Sequence, residues 1–308
     1  MKTLVTGCAG FIGSNLTDYL LDNGISVVGI DCFSDYYSRQ IKESNLSHAR
    51  EHSKFTFLEQ DLLKIDVFPE NVDYVFHLAA QAGVRASWDD NFHTYTKNNI
   101  EATQRLLEFY KDRELEKFVY SSSSSVYGDV DLPMNEESVL KPVSPYGVSK
   151  LAGEHLTYLY WKNYGVPTVS LRYFTVYGPR QRPDMAINIF TRSLLEGQKI
   201  LLYGDGEQTR DFTYVDDVVQ SNILAARSDL AGEVFNIGGG NQVTVNDLIH
   251  HLEKTTGKRA KVKKLGKQRG DMKNTLADVS KVKKFLKWYP QVQISEGLEK
   301  YVEWLKEK

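Results

Sequence analysis

Tyr146 and Lys150, in the run Tyr-Gly-Val-Ser-Lys, are the residues of this 308-residue chain whose types and spacing speak most directly of chemistry. On a helix they stand at i and i+4, so a phenol and an ammonium share one face a turn apart. A free tyrosine has a pKa of about 10, and bringing it to about 7 takes roughly 4 kcal/mol of differential stabilisation of the phenolate. A fixed cation supplies part of that. Such a tyrosine takes a proton from a sugar or alcohol hydroxyl at neutral pH. Pro145 directly before it is a helix-start residue. Upstream, five serines at 121–125 follow the strand-like Lys117-Phe118-Val119-Tyr120. Hydroxyls at a strand's end can hydrogen-bond a substrate oxygen and a phenolate at once.

These groups need elements to hold them. Residues 2–6 read as a short strand, followed by Gly7-Cys8-Ala9-Gly10-Phe11-Ile12-Gly13 and a helical pattern over 15–22. Strand, glycine turn and helix form a phosphate cradle, in which the helix N-terminus aims its N–H groups at a pyrophosphate. The spacing is Gly-x-x-Gly-x-x-Gly, where the commonest dinucleotide fingerprint has Gly-x-Gly-x-x-Gly. A second strand over 25–30 ends in Asp31, placed to accept both hydroxyls of an adenosine ribose and to repel a 2′-phosphate, which favours NAD over NADP. Strands over 55–59 and 73–78 lead into Asp61-Leu62 and Ala79-Ala80-Gln81-Ala82-Gly83, and the small residues let a cofactor lie against the backbone. His77 reads as a core histidine without a catalytic role. Helical periodicity over 98–111 carries Asn99, suited to hold neighbouring loops or a ribose.

A polar excursion over 129–142 separates the serines from the Tyr146 helix, and a sixth strand spans 168–173. The Gly/Pro/Arg stretch at 174–183 reads as a domain crossing. Beyond it come a helix over 186–196, a segment at 199–203, a turn-rich run at 204–211, a helix over 215–226, a strand over 233–237, and helices over 245–255 and 296–306 with lysine-rich surface between. The alternation predicts an α/β fold: a doubly wound, Rossmann-like parallel sheet with its ligand at the strands' C-terminal ends, and a smaller C-terminal lobe. The expected division is 1–173 plus about 212–238 for the cofactor and about 174–211 plus 239–308 for the substrate.

Composition narrows the partners. With 38 basic and 40 acidic residues, net −2, there is no electrostatic footprint for nucleic acid or an anionic membrane. Two cysteines, Cys8 and Cys32, make neither a disulfide framework nor a structural zinc site, and fit a reducing cytoplasm. Glycines and polar residues interrupt the N-terminus too soon for a signal peptide or a spanning helix.

Taken together, Thr6-Gly-x-x-Gly-Phe-Ile-Gly13, Asp31, His77-Leu78-Ala79-Ala80, the serines with Val126-Tyr127-Gly128, Tyr146 to Lys150, Leu171-Arg172-Tyr173-Phe174 and Arg210-Asp211-Phe212 resemble the extended short-chain dehydrogenase/reductase family of nucleotide-sugar epimerases and dehydratases. The resemblance covers essentially the whole chain. It implies NAD kept through turnover, a UDP-sugar under the C-terminal lobe, and a homodimer. By matching position, Ser123 and Tyr146 would work on the sugar O4 hydroxyl, and Lys150 would hold the nicotinamide ribose and tune Tyr146. Phe174 and Thr175 would contact nicotinamide and sugar, and Arg210 the diphosphate, a task its forked donors suit. Leu78 and Ser121 join the implied cofactor site; Tyr203 and Asp271 join the substrate site. Many relatives have Arg or Gln, then Pro, then Gly-Asp near the uridine; here Gln268-Arg269 precedes Gly270-Asp271, which leaves the roles of Arg269 and Asp271 open.

Sugar dehydratases of the family carry Thr-Asp-Glu where Ser123-Ser124-Ser125 stand, and related UDP-glucuronate decarboxylases place Glu at Ser125. Asp35-Tyr36-Tyr37, Gly83-Val84-Arg85-x-Ser87-Trp88 and Gly178-Pro179-Arg180-Gln181-Arg182-Pro183-Asp184-Met185 are similar to UDP-glucuronate 4-epimerases. The expectation is therefore an NAD-dependent 4-epimerase converting UDP-glucuronate to UDP-galacturonate through a 4-keto sugar. Ser124, Ser125 and Thr175 would hold the carboxylate, with Arg85 or Arg182 nearby as charge. The rivals are a UDP-glucose/UDP-galactose 4-epimerase, a decarboxylase, and a catalytically silent NAD- or RNA-binding relative.

Overall fold

In a computed structural model, which describes residues 1–266, 270 and 272–308, the strands run in chain order as β1 (Lys2–Thr6), β2 (Ser26–Asp31), β3 (Phe55–Glu59), β4 (Tyr74–His77), β5 (Lys117–Ser123), β6 (Thr168–Tyr173), β7 (Thr175–Tyr177), β8 (Lys199–Tyr203), β9 (Thr209–Tyr214), β10 (Glu233–Ile237), β11 (Gln242–Thr244) and β12 (Lys261–Leu265). Between them lie helices α1 (Phe11–Asp22), α2 (Arg39–Asn45), α3 (Ser47–Glu51), α4 (Phe92–Tyr95), α5 (Ala102–Tyr110), α6 (Pro145–Tyr164), α7 (Ala186–Leu195), α8 (Val215–Arg227), α9 (Val245–Thr256), α10 (Ser280–Leu286) and α11 (Ile294–Lys306).

Seven strands form one parallel sheet in the order β10-β6-β5-β4-β1-β2-β3. The order reverses between β1 and β4, and the loops leaving those two strands diverge to open a crevice. Successive side chains of each strand enter different cores, as the two-residue strand period requires. Val5, Val27, Phe76 and Val119 pack with α1 and α8 on one face. Leu4, Val28, Val75 and Phe118 pack with α5 on the other. Burial on both faces explains why these strands read as nearly continuous apolar runs. A third cluster, with Tyr177, Phe190, Leu248 and Tyr301, holds together α7, α9, α11 and the three-stranded sheet β11-β9-β7; β12 pairs with β8.

Several elements differ from expectation. β5 continues through Ser123 because the serines find partners inside: Ser121 Oγ donates to the Tyr173 hydroxyl at 3.2 Å and Ser122 Oγ to Glu154 at 2.7 Å. The turn-rich run at 204–211 passes into a strand at Thr209, and the lysine-rich stretch contains β12, whose side chains remain mostly exposed. The 98–111 helix opens with a π-helical turn over Thr96–Glu101. Among the described residues, no helix is long and apolar enough to cross a membrane.

Candidate active site

Helix α6 is fixed at both ends. Ser144 Oγ accepts from Gly147 N at 3.1 Å, Pro145 occupies the first turn, and Gly165 closes the helix at φ 75°. Glycines bring it close to β5 and the turn after it: a Cβ on Gly147 would meet the Ser125 carbonyl oxygen at 2.3 Å, and one on Gly153 the Tyr120 hydroxyl at 2.2 Å. This close approach sets Tyr146 against the end of β5, where Ser123 acts on its hydroxyl in favour of the phenolate.

Electrostatics at Tyr146 oppose one another. Burial raises its pKa, while the Ser123 hydrogen bond and the charge of Arg182 lower it. Among the charges acting on Tyr146, the Arg182 guanidinium favours the phenolate. Lys150 is buried, its Nζ lies 4.6 Å from the centroid of the Tyr120 ring, and burial brings its pKa down to about 7 against the opposing charge of Glu154.

The glycine loop folds tightly onto its neighbours. Gly7 has φ 71°, and a Cβ there would sit 2.8 Å from Ala79 N; a Cβ on Gly13 would sit 2.1 Å from the Gly7 carbonyl oxygen. At the end of β2, the Asp31 carboxylate accepts from Ala9 N at 3.0 Å and Phe33 N at 2.9 Å. Burial raises its pKa, and these donors pull the other way.

A cavity of about 220 Å³ runs from this cradle to Tyr146. Gly7, Gly10, Phe11, Ile12, Gly13, Asp31, Asp61, Leu62, Leu78, Ala79, Ala80, Ser121, Tyr146 and Lys150 line it, so of the cofactor residues expected from sequence only Asn99 and Phe174 stand outside its lining. Asn99 braces: its oxygen accepts from Gln81 N at 2.7 Å, and its amide donates to the Gln81 carbonyl at 3.0 Å and Ser149 Oγ at 2.8 Å. Phe174 is buried beside Tyr127, with ring centroids 6.3 Å apart. His77 is a core residue, between Thr6 Oγ1 at 2.7 Å and Thr103 Oγ1 at 2.9 Å, with its pKa pushed down to about 3 by burial. A glycine cradle too tight for any side chain, ending on a carboxylate at the next strand, fits a dinucleotide with a free 2′-hydroxyl.

A second cavity of about 150 Å³ is lined by Ser124, Ser125, Thr175 and Arg210 with Val84, Val143, Ser144, Gly270, Met272 and Thr275. Ser123 stands between residues of the two: Ser122 lines the first and Ser124 the second. The two arginines expected near the sugar are separated. Arg182 lines the first cavity with Tyr146, its Nε and Nη2 donating to Asp184 at 2.9 and 3.0 Å, and Tyr36 donates to the same carboxylate at 3.0 Å. Arg85 lies over the Tyr203 ring, 4.5 Å from its centroid, and neither residue is in the lining of the two cavities. Asp271 and Arg269 lie outside the described residues.

Sequence reasoning missed Lys42, Gln81 and Ser122 in the first cavity and Val143, Met272 and Thr275 in the second. Tyr36 and Tyr37 carried a signal, as part of the motif beginning at Asp35. Lys42 carried none, because it stands on the short polar helix α2.

Comparison with known proteins fits this geometry. Residues 3–238 match the NAD dependent epimerase/dehydratase family. A UDP-glucuronate 4-epimerase of Thermodesulfobacterium geofontis is 42% identical over 311 residues, covering 99% of this chain and 96% of that protein. The crystal structure of a Bacillus cereus UDP-glucuronic acid 4-epimerase in complex with UDP-glucuronic acid and NAD superposes with a TM-score of 0.97 at 46% identity, covering 100% of this chain and 99% of the other. A Thermotoga maritima UDP-glucose 4-epimerase with UDP-glucose is more distant, with a TM-score of 0.90 at 36% identity, covering 100% and 99%. With more than three quarters of its length matching that model, the chain belongs to the NAD-dependent epimerase/dehydratase family.

Proposed function

We propose that this enzyme inverts C4 of a UDP-hexose and interconverts UDP-glucuronate and UDP-galacturonate. The observation that carries the reading is the lining of the second cavity. Beside the Ser123–Tyr146 pair it offers hydroxyls from Ser124, Ser125 and Thr175, one arginine and, among the described residues, no carboxylate. Hydroxyl donors suit an anionic C6 carboxylate, whereas a carboxylate there would repel it.

NAD, when bound, supplies a reversible hydride acceptor for C4, so no net oxidation occurs. The chain's residues do the rest. The cradle and the α1 N-terminus bind the pyrophosphate, and Asp31 binds the adenosine ribose and excludes a 2′-phosphate. Lys150 holds the second ribose. Ser123 orients O4, Tyr146 withdraws its proton as C4 becomes a ketone, and Tyr146 returns the proton once the sugar has turned over. Arg210 grips the diphosphate. The 4-keto uronate is a β-keto acid that loses CO2 when its carboxylate bond aligns with the carbonyl. Hydroxyls that stabilise the carboxylate and hold it out of alignment protect the intermediate during its rotation.

The cofactor part is 1–173 with about 212–238, and the substrate part is the remainder. Two chains form the working dimer. Unpaired Cys8 and Cys32 suit the cytoplasm.

The test is to incubate the purified enzyme with UDP-glucuronate, UDP-glucose and UDP-N-acetylglucosamine and identify products by NMR. UDP-galacturonate is the expected main product. A UDP-pentose as main product would make the chain a decarboxylase, and preference for UDP-glucose would refute the uronate assignment.

A further inference from the structure

Away from both cavities, three side chains converge where α1 ends and α3 begins its single turn and a half. His48 and His52 are spaced i and i+4, and both direct Nε2 at the same oxygen of Asp22: Oδ1 lies 2.8 Å from His48 Nε2 and 3.4 Å from His52 Nε2. The imidazole centroids are 5.4 Å apart, all three potential donor atoms lie within 4.8 Å of one another, and each side chain is at least one-third exposed. Nothing in the epimerase chemistry uses them.

A carboxylate oxygen can accept from both imidazoles, and His48 Nε2 lies within hydrogen-bond distance of it. A second imidazole aimed at that same oxygen adds a like charge beside the first when both are protonated. A cation accounts for all three groups. Bonds of about 2.0–2.1 Å place neighbouring donors of a tetrahedral shell about 3.3 Å apart, and the two observed separations bracket that distance. Two imidazoles and one carboxylate, accessible to water at the remaining positions, form an open donor set suited to zinc and similar ions. Two other charges face the group: Asp18, one turn earlier on α1, and Arg180, paired with Asp18 at 2.6 Å. Their effects on an added cation largely offset each other.

We propose that Asp22, His48 and His52 bind a first-row divalent transition-metal ion of the zinc class, tying the end of α1 to α3. Of the two elements it joins, α1 begins at the nucleotide cradle, and α3 directly follows α2, whose last residue Asn45 donates to the Ala9 carbonyl at 3.0 Å. The bound ion therefore stabilises the folded NAD-binding half by mass action.

The test titrates zinc chloride into metal-free full-length protein by calorimetry and follows the melting temperature. Wild type binds a single zinc ion per chain and melts higher in its presence. H48A, H52A and D22N each weaken binding on the order of tenfold or more, while H250A, at an exposed position of α9, leaves it unchanged. NAD affinity equal to wild type shows that each variant is folded. Wild type that binds no zinc, or an H48A/H52A protein that binds it as wild type does, overturns the site. Epimerase turnover without metal is independent of either result.

Discussion

Replacing Glu154 by glutamine should damage stability and shift the pH profile through one buried charge. Glu154 accepts from Arg172 Nε at 3.0 Å, Arg172 Nη2 at 2.6 Å and Ser122 Oγ at 2.7 Å, joining α6, β6 and β5. Arg172 also donates to the Tyr127 hydroxyl at 2.8 Å, which donates to Asn236 at 2.6 Å on β10. Both charged side chains are at most 5% exposed. Removing one partner of such a pair strands the other charge and costs roughly 3–5 kcal/mol. A typical native state has only about 5–15 kcal/mol in total. Denaturant unfolding of the NAD-free protein should therefore show a large fall in midpoint, largely restored in E154M/R172M, where neither charge is buried. Glu154 also opposes the burial that lowers Lys150 to about 7. Without it the Lys150 pKa falls further, the ammonium is lost at lower pH, and the alkaline limb of kcat/KM moves down. An E154Q loss below about 1 kcal/mol, the scale of an exposed pair, with an unmoved alkaline limb would refute this account.

Tyr146→Phe keeps the ring but removes the proton acceptor, so kcat should fall by about 10²–10⁴-fold with UDP-sugar affinity nearly intact; single-turnover kinetics and calorimetry measure the two. Asp31→Ala should weaken NAD and leave UDP binding unchanged, and equal loss of both would contradict its assignment. Arg182→Ala and Ser125→Ala should each lower the preference for UDP-glucuronate over UDP-glucose in kcat/KM; an unchanged ratio in both would end the uronate reading. Ser125→Glu should raise the UDP-pentose fraction after prolonged incubation, read by nucleotide-sugar chromatography, since a carboxylate beside the substrate's own favours its departure as CO2.

How much of this was legible in the sequence depended on burial. β1, β2 and β4 stand where short apolar runs end at turn residues, because both faces of these strands are largely buried. The three-residue strands β7 and β11 are too short to show a period, and α2 and α3 are short polar helices without an apolar stripe. β12 hid as a run of lysines because it packs only along its edge with β8 and keeps its faces in water. The first cavity was readable for a different reason: most of its residues lie at strand ends or in the loops and helix starts near them, where motif and position coincide. The second cavity joins Val84, Val143, Thr175 and Thr275 from distant segments, and no local spacing signals such a meeting.

The two cations beside Tyr146 show why the crossing segment carries arginine. Burial strips the charge from a lysine readily, bringing the Lys150 pKa down to about 7, so its ammonium is lost as pH rises. A guanidinium keeps its charge, and Asp184 raises the Arg182 pKa against the burial that would lower it. The segment holding Arg182 is anchored on the cofactor side, with Arg180 paired to Asp18 of α1 at 2.6 Å and Asn15 donating to the Pro179 carbonyl at 3.2 Å. A non-titrating charge at a fixed place thus favours the phenolate throughout the range in which Lys150 changes state. On the proposed reaction, Lys150 donates to the ribose as an ammonium, so its loss as pH rises limits the alkaline side of the profile, while Arg182 supplies the lasting field.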